Sequence, residues 1–164
     1  MGKSEENLKE AFAGESQANR KYLAFAKKAD GEGHGQVAKL FRAAAFAETV
    51  HAHSHLRVLG GVNDTEQNLK EAIGGETHEF TSMYPQMISE AKEEGNTRAE
   101  RTFEFANAVE KIHADLYQKA LSNLGSNDTT DYHVCTVCGN TIEGEPPEKC
   151  PICKAPRSAF EKVE

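Results

Sequence analysis

The chain has 164 residues, of which 38% are hydrophobic, and a formal net charge of −7. This length allows one sizeable core and a small appendage, but not two full domains. The acidic balance and the absence of any basic run argue against a nucleic-acid partner, and the longest apolar stretch, around Ala43 to Ala47, is far too short to span a membrane.

A first helix is predicted over 5–29, where Leu8, Ala11, Phe12, Tyr22 and Phe25 recur on one face until Gly31, Gly33 and Gly35 interrupt the rhythm. The second runs from about 36 to 59 along Val37, Leu40, Phe41, Ala44, Ala45, Ala52 and Leu56, and Gly60-Gly61 closes it. The third, 65–94, follows Leu69, Ile73, Phe80, Met83 and Met87, with loosening expected at Gly74-Gly75 and a kink at Pro85. A fourth covers 97–124 through Phe103, Ala106, Val109, Leu116 and Leu121. The polar run beginning at Gly125 reads as a flexible linker. The expected organisation is a mainly α region over 1–125, a linker over 126–130 and a second small module over 131–164.

Glu15, Glu48, Glu76 and Glu110 fall on the apolar faces of the four predicted helices, where an unpaired carboxylate carries several kcal/mol of desolvation cost, so a cation is expected inside. Glu48-x-x-His51 and Glu110-x-x-His113 place Glu and His at i, i+3, on one helix face, where both can hold one metal. A Glu from each of two helices plus Glu-x-x-His from each of the other two is the donor set of ferritin-like di-iron four-helix bundles. Glu15 precedes Glu48 by 33 residues and Glu76 precedes Glu110 by 34, so the helix pairs read as related halves.

Oxygen donors mixed with imidazole suit iron or manganese better than zinc. Glu79 adds a fifth carboxylate one turn beyond Glu76. With it, two ferrous or two ferric ions leave the cluster one charge unit from neutral, on opposite sides. Tyr22 and Tyr84 lie two turns after Glu15 and Glu76, where a hydroxyl can reach the site or a ring can simply pack. His34, His53, His55, His78 and His133 lack a facing carboxylate at ligand spacing and read as surface or structural residues, with His55 placed to act behind the ligands.

All four cysteines lie between 135 and 153 as two Cys-x-x-Cys pairs, Cys135 with Cys138 and Cys150 with Cys153. That is metal-ligand spacing in a reducing compartment, so the expected location is cytoplasmic. Spacing alone fits structural zinc and redox iron equally well.

The segment around Glu15, both Glu-x-x-His motifs, Gly75-Glu76-Thr-His-Glu79, Met83-Tyr84-Pro85 and the cysteine pairs together resemble the rubrerythrin family over nearly the whole chain. The resemblance implies a ferritin-like four-helix bundle followed by a rubredoxin-like module with a single iron at Cys135, Cys138, Cys150 and Cys153. It further implies a non-haem di-iron site on Glu15, Glu48, His51, Glu76, Glu79, Glu110 and His113, with Tyr22 and Tyr84 as site tyrosines. One iron would exchange His51 for Glu79 on oxidation. The implied activity is reduction of hydrogen peroxide to water in oxidative-stress defence, fed by an external reductase; iron oxidation and storage is the alternative. Lys154 departs from the family pattern, standing where rubredoxins usually carry glycine.

The connection after the second helix is short. A 24-residue helix is about 36 Å long, whereas 60–64 reach only about 18 Å fully extended. A domain-swapped homodimer is therefore expected, in which the first two helices of one chain serve with the last two of the other.

Overall fold

The computed structural model describes residues 2–164. It resolves into two compact units, 1–63 and 64–164. The first is a helical hairpin of α1 (Lys3–Gly31) and α2 (Gly35–Val58). The second contains α3 (Thr65–His78), a π turn (Glu79–Met83), α4 (Tyr84–Glu93), α5 (Thr97–Ser122) and a three-stranded sheet.

The α1–α2 seam is built from small side chains: Ala26, Ala29, Ala38, Ala45 and Ala52 are at most 6% exposed. With no bulk between them, the two backbones approach closely enough for Asn19 of α1 to donate its amide to the Ala45 carbonyl at 2.7 Å and to the Thr49 hydroxyl at 2.8 Å. Burying a primary amide is tolerable only because both bonds are made. The outer faces of the hairpin leave Leu40, Phe46 and Val58 68%, 74% and 71% exposed.

In the second unit, Asp64 and Asn96 cap α3 and α5, accepting from the N–H groups of Gln67 and Ala99. Helix α5 packs against both α3 and α4. The single bent helix expected over 65–94 is an α–π–α rod: Glu79–Met83 form a π turn and Pro85 is the second residue of the next α segment. Pro85 has no N–H and crowds the carbonyl four residues back. A wider turn just before it relieves that crowding and adds one residue per turn without ending the rod. The polar run after α5 is anchored at its start: the Asn127 amide donates to the carbonyls of Ala120 and Asn123.

Strands β1 (Tyr132–Cys135), β2 (Thr141–Glu143) and β3 (Phe160–Val163) form an antiparallel sheet in the order β2-β1-β3. Two backbone turns of the same design follow, one joining β1 to β2 and one between β2 and β3 at the isolated Lys149–Pro156 bridge. The N–H of Cys135 donates to the carbonyl of Asn140 and that of Gly139 to Cys135; in the second turn Cys150 donates to Ala155 and Lys154 to Cys150. Closing this turn requires positive φ at its fifth residue, 82° at Gly139 and 66° at Lys154. Glycine adopts that conformation freely, whereas a lysine carries steric strain of about 1 kcal/mol. Lys154→Gly is therefore expected to stabilise the module by up to about 1 kcal/mol, read as slower loss of its bound metal to chelator and a higher melting temperature; a destabilised variant would show that the Lys154 Nζ bond to the Pro151 carbonyl outweighs the strain.

Candidate metal centres

Two trios of donors form, one in each unit. On the hairpin, Nδ1 of His51 lies 3.0 Å from Glu48 and 3.8 Å from Glu15. On the second unit, Nδ1 of His113 lies 2.8 Å from Glu110 and 3.7 Å from Glu76. In each trio the donor atoms lie within 4.8 Å of one another, a spacing at which one ion can touch all three. Within the single chain the Glu48, Glu76 and Glu110 side chains are 18%, 20% and 16% exposed, Glu15 is 31% exposed and His51 is 54% exposed.

Charge crowding is visible in the proton equilibria. Burial first, then the charge and hydrogen bond of Glu110 and the charge of Glu79, pushes the Glu76 carboxyl up to about 7. Glu15 is raised by its hydrogen bond with Glu48, by burial and by the Glu48 charge, while Glu48 is lowered by that same bond and by His51. Glu15 and Glu76 each resist ionising beside a second carboxylate, the condition a cation relieves. His55 adds to the field that draws Glu15 back down.

Glu79 stands outside both trios at the first residue of the π turn, close enough to act on Glu76. Tyr84 is raised by burial and by Glu110, Glu79 and Glu76, so its hydroxyl stays protonated in the field of three carboxylates. Tyr22 packs its ring against Phe25 and Phe41, with centroids 6.4 and 6.2 Å away. Among the remaining histidines, His133 is structural, its Nδ1 lying 2.7 Å from the Gly144 carbonyl.

The four cysteines are free thiols gathered within 4.8 Å. Cys135 and Cys153 sulfurs are 3.6 Å apart, as are Cys138 and Cys150. A disulfide needs about 2.05 Å, whereas a tetrahedral ion with bonds of about 2.3 Å sets its sulfurs about 3.8 Å apart. Burial pushes the Cys150 thiol up, but N–H groups of Cys153 and Ile152 and the hydrogen bond with Cys138 outweigh it and bring it to about 7. Burial raises Cys138 and Cys153. The donor set fits a tetrahedral metal.

Two contacts join this module to α5. Lys119 pairs with Glu143 at 2.6 Å, and Nε2 of His113 lies 2.9 Å from the Thr141 hydroxyl. Neither Thr141 nor Asn19 stood out in the sequence, since single Thr and Asn residues carry no spacing signal.

A family model described as rubrerythrin matches residues 6–121, and one described as the rubredoxin-like domain of rubrerythrin matches 133–161. The chain is 37% identical over 174 residues to nigerythrin of Nitratidesulfovibrio vulgaris, covering 98% of this chain and 86% of that protein. It is 34% identical over 171 residues to rubrerythrin-2 of Clostridium acetobutylicum, covering 94% and 93%. Among solved structures, that of nigerythrin in its fully reduced, all-ferrous state gives a TM-score of 0.61 at 36% identity, covering 99% of this chain and 88% of that one.

The raised Glu76 pKa fixes the sign of a pH effect. Between the ordinary carboxylate value of 4.5 and about 7, the folded metal-free protein holds a proton that the unfolded chain has released, so stability falls as pH rises through this window. Thermal melts of metal-free wild type at pH 5 and 7.5 are expected to show a larger loss than melts of Glu76→Gln, which has no proton to release there. Equal losses would mean that Glu76 ionises freely in the fold.

Proposed function

Because this chain belongs to the rubrerythrin family, we propose that it is a non-haem di-iron peroxidase that reduces hydrogen peroxide to water, drawing electrons through an iron held by Cys135, Cys138, Cys150 and Cys153. The observation that carries this reading is the contact of the cysteine module with His113. An iron-storage protein has no use for a redox module beside its metal ligands.

In this proposal Glu15, Glu48, His51, Glu76, Glu79, Glu110 and His113 hold two iron ions. When bound, the iron polarises the O–O bond and supplies the electrons that, with two protons, turn one peroxide into two waters. The carboxylates would neutralise the ions, and Tyr84, held protonated by burial and by the charges of Glu110, Glu79 and Glu76, would have a proton to offer a peroxide oxygen. Tyr22 is the corresponding site tyrosine on α1. Glu79, outside both trios, would supply a further carboxylate to balance the positive charge that iron would gain on oxidation, taking over from His51 as ligand. Zinc would fit the cysteine tetrahedron but could not pass an electron. An external reductase, fed by a nicotinamide cofactor, completes the circuit. Among the described residues no helix is long and apolar enough to cross a membrane, and the cytoplasm, where these thiols stay reduced, is the proposed location.

The active form in this proposal is a swapped homodimer, in which Glu15, Glu48 and His51 of one chain serve with Glu76, Glu79, Glu110 and His113 of the other. Two features support it. The connection from Val58 to Thr65 is much shorter than α2, and the hairpin exposes Leu40, Phe46 and Val58, an apolar surface that favours association.

Reduced protein mixed anaerobically with peroxide is expected to recover the visible absorption of the ferric cysteine site, and to do so faster than with dioxygen. Faster recovery with dioxygen would favour the ferroxidase or storage reading, and a colourless cysteine module in freshly purified protein would refute electron entry there. For the dimer, chains carrying Glu15→Ala are mixed with chains carrying Glu110→Ala. Swapping gives each heterodimer one intact and one doubly damaged site, so about half the wild-type activity should return; none in verified heterodimers rules swapping out.

A further inference from the structure

His113 is held on both edges of its ring. Nδ1 faces Glu110 and Glu76, while Nε2 lies 2.9 Å from the Thr141 hydroxyl oxygen on β2. That hydroxyl donates its own proton to the Gly139 carbonyl at 3.2 Å, leaving a lone pair turned to the ring. The Gly139 N–H in turn donates to the Cys135 carbonyl at 2.8 Å. Three hydrogen bonds thus run from the imidazole into the first cysteine turn. The His113–Thr141 pair lines an apolar cavity of about 340 Å³ with Leu69, Leu116 and Tyr132, where such a bond is stronger than in open water.

A neutral imidazole that ligates metal through Nδ1 carries its proton on Nε2 and needs an acceptor there. His51 has its carboxylates in the same arrangement, yet its ring is 54% exposed against 27% for His113.

We propose that Thr141 is a positioning residue for the His113 metal ligand: its hydroxyl oxygen accepts the Nε2 proton, fixes the tautomer that leaves Nδ1 free for iron, and ties that ring to the cysteine module. The proposal rests on the di-iron reading. The competing account is that Thr141 merely fastens the module to α5, as the Lys119–Glu143 pair does.

The test uses the full-length iron-loaded protein and three variants, Thr141→Val, Thr141→Ser and Lys119→Met. Iron loss from the helical site to a chelator is timed with the cysteine-iron absorption as internal reference. In zinc-loaded protein, which is diamagnetic, the Nε2 proton of His113 is followed by nitrogen-15 NMR. Thr141→Val is expected to lose iron about 10-fold faster or more and to lose the Nε2–H signal to solvent exchange, while Thr141→Ser and Lys119→Met remain close to wild type in both. The proposal is overturned if Thr141→Val keeps iron and signal, if Thr141→Ser fails to restore them, or if Lys119→Met loses iron as fast as Thr141→Val. Wild type that takes up neither metal in the helical region sinks the di-iron reading and this proposal together, whereas normal uptake with an unaffected Thr141→Val sinks the proposal alone.

Discussion

Negative charge gathered against imidazole is the constraint on which the helical part of this protein depends. Glu15 and Glu48 crowd His51, and Glu76 and Glu110 crowd His113, at matching distances. Helices placed for packing alone would turn such acids outward. Here the Ala-lined seam of α1 and α2, with Asn19 bonded across it, holds one pair of acids together, and the packing of α5 on α3 and α4 holds the other. The raised carboxyls of Glu15 and Glu76 record the cost of this crowding, which a bound cation would offset.

Both kinds of candidate metal site are built by repetition. The two carboxylate–imidazole trios repeat Glu-x-x-His on α2 and α5 with a further Glu from a neighbouring helix, and the two cysteine turns repeat one hydrogen-bond pattern down to the positive φ of their fifth residue. The copies are not equal. Lysine in place of glycine strains one turn, and a threonine contact on one histidine leaves the other with the more exposed ring.

Much of this was legible in the sequence because it is periodic. Helix limits came within a few residues: 5–29 against Lys3–Gly31, 36–59 against Gly35–Val58, and 97–124 against Thr97–Ser122. The Glu–His pair of each trio and the two cysteine pairs follow from i, i+3 spacing, and Glu15 and Glu76 from their place on apolar helix faces. The π turn escaped notice because Gly74-Gly75 and Pro85 signal irregularity without saying how the backbone absorbs it. Thr141 escaped because its partner is 28 residues away, a relation with no local pattern. The degree of burial is not legible for a similar reason: an apolar stripe shows which side of a helix turns inward, but not what covers it.

The docking of β2 on α5 has a kinetic corollary. His113 and the four cysteine sulfurs belong to one compact stretch of chain, 64–164, and their spacing is fixed by a short covalent path and two side-chain contacts. On the proposed reading, charge passing between them would stay within one folded unit and follow first-order kinetics, and only refilling of the cysteine centre from outside would depend on how much reductant is present.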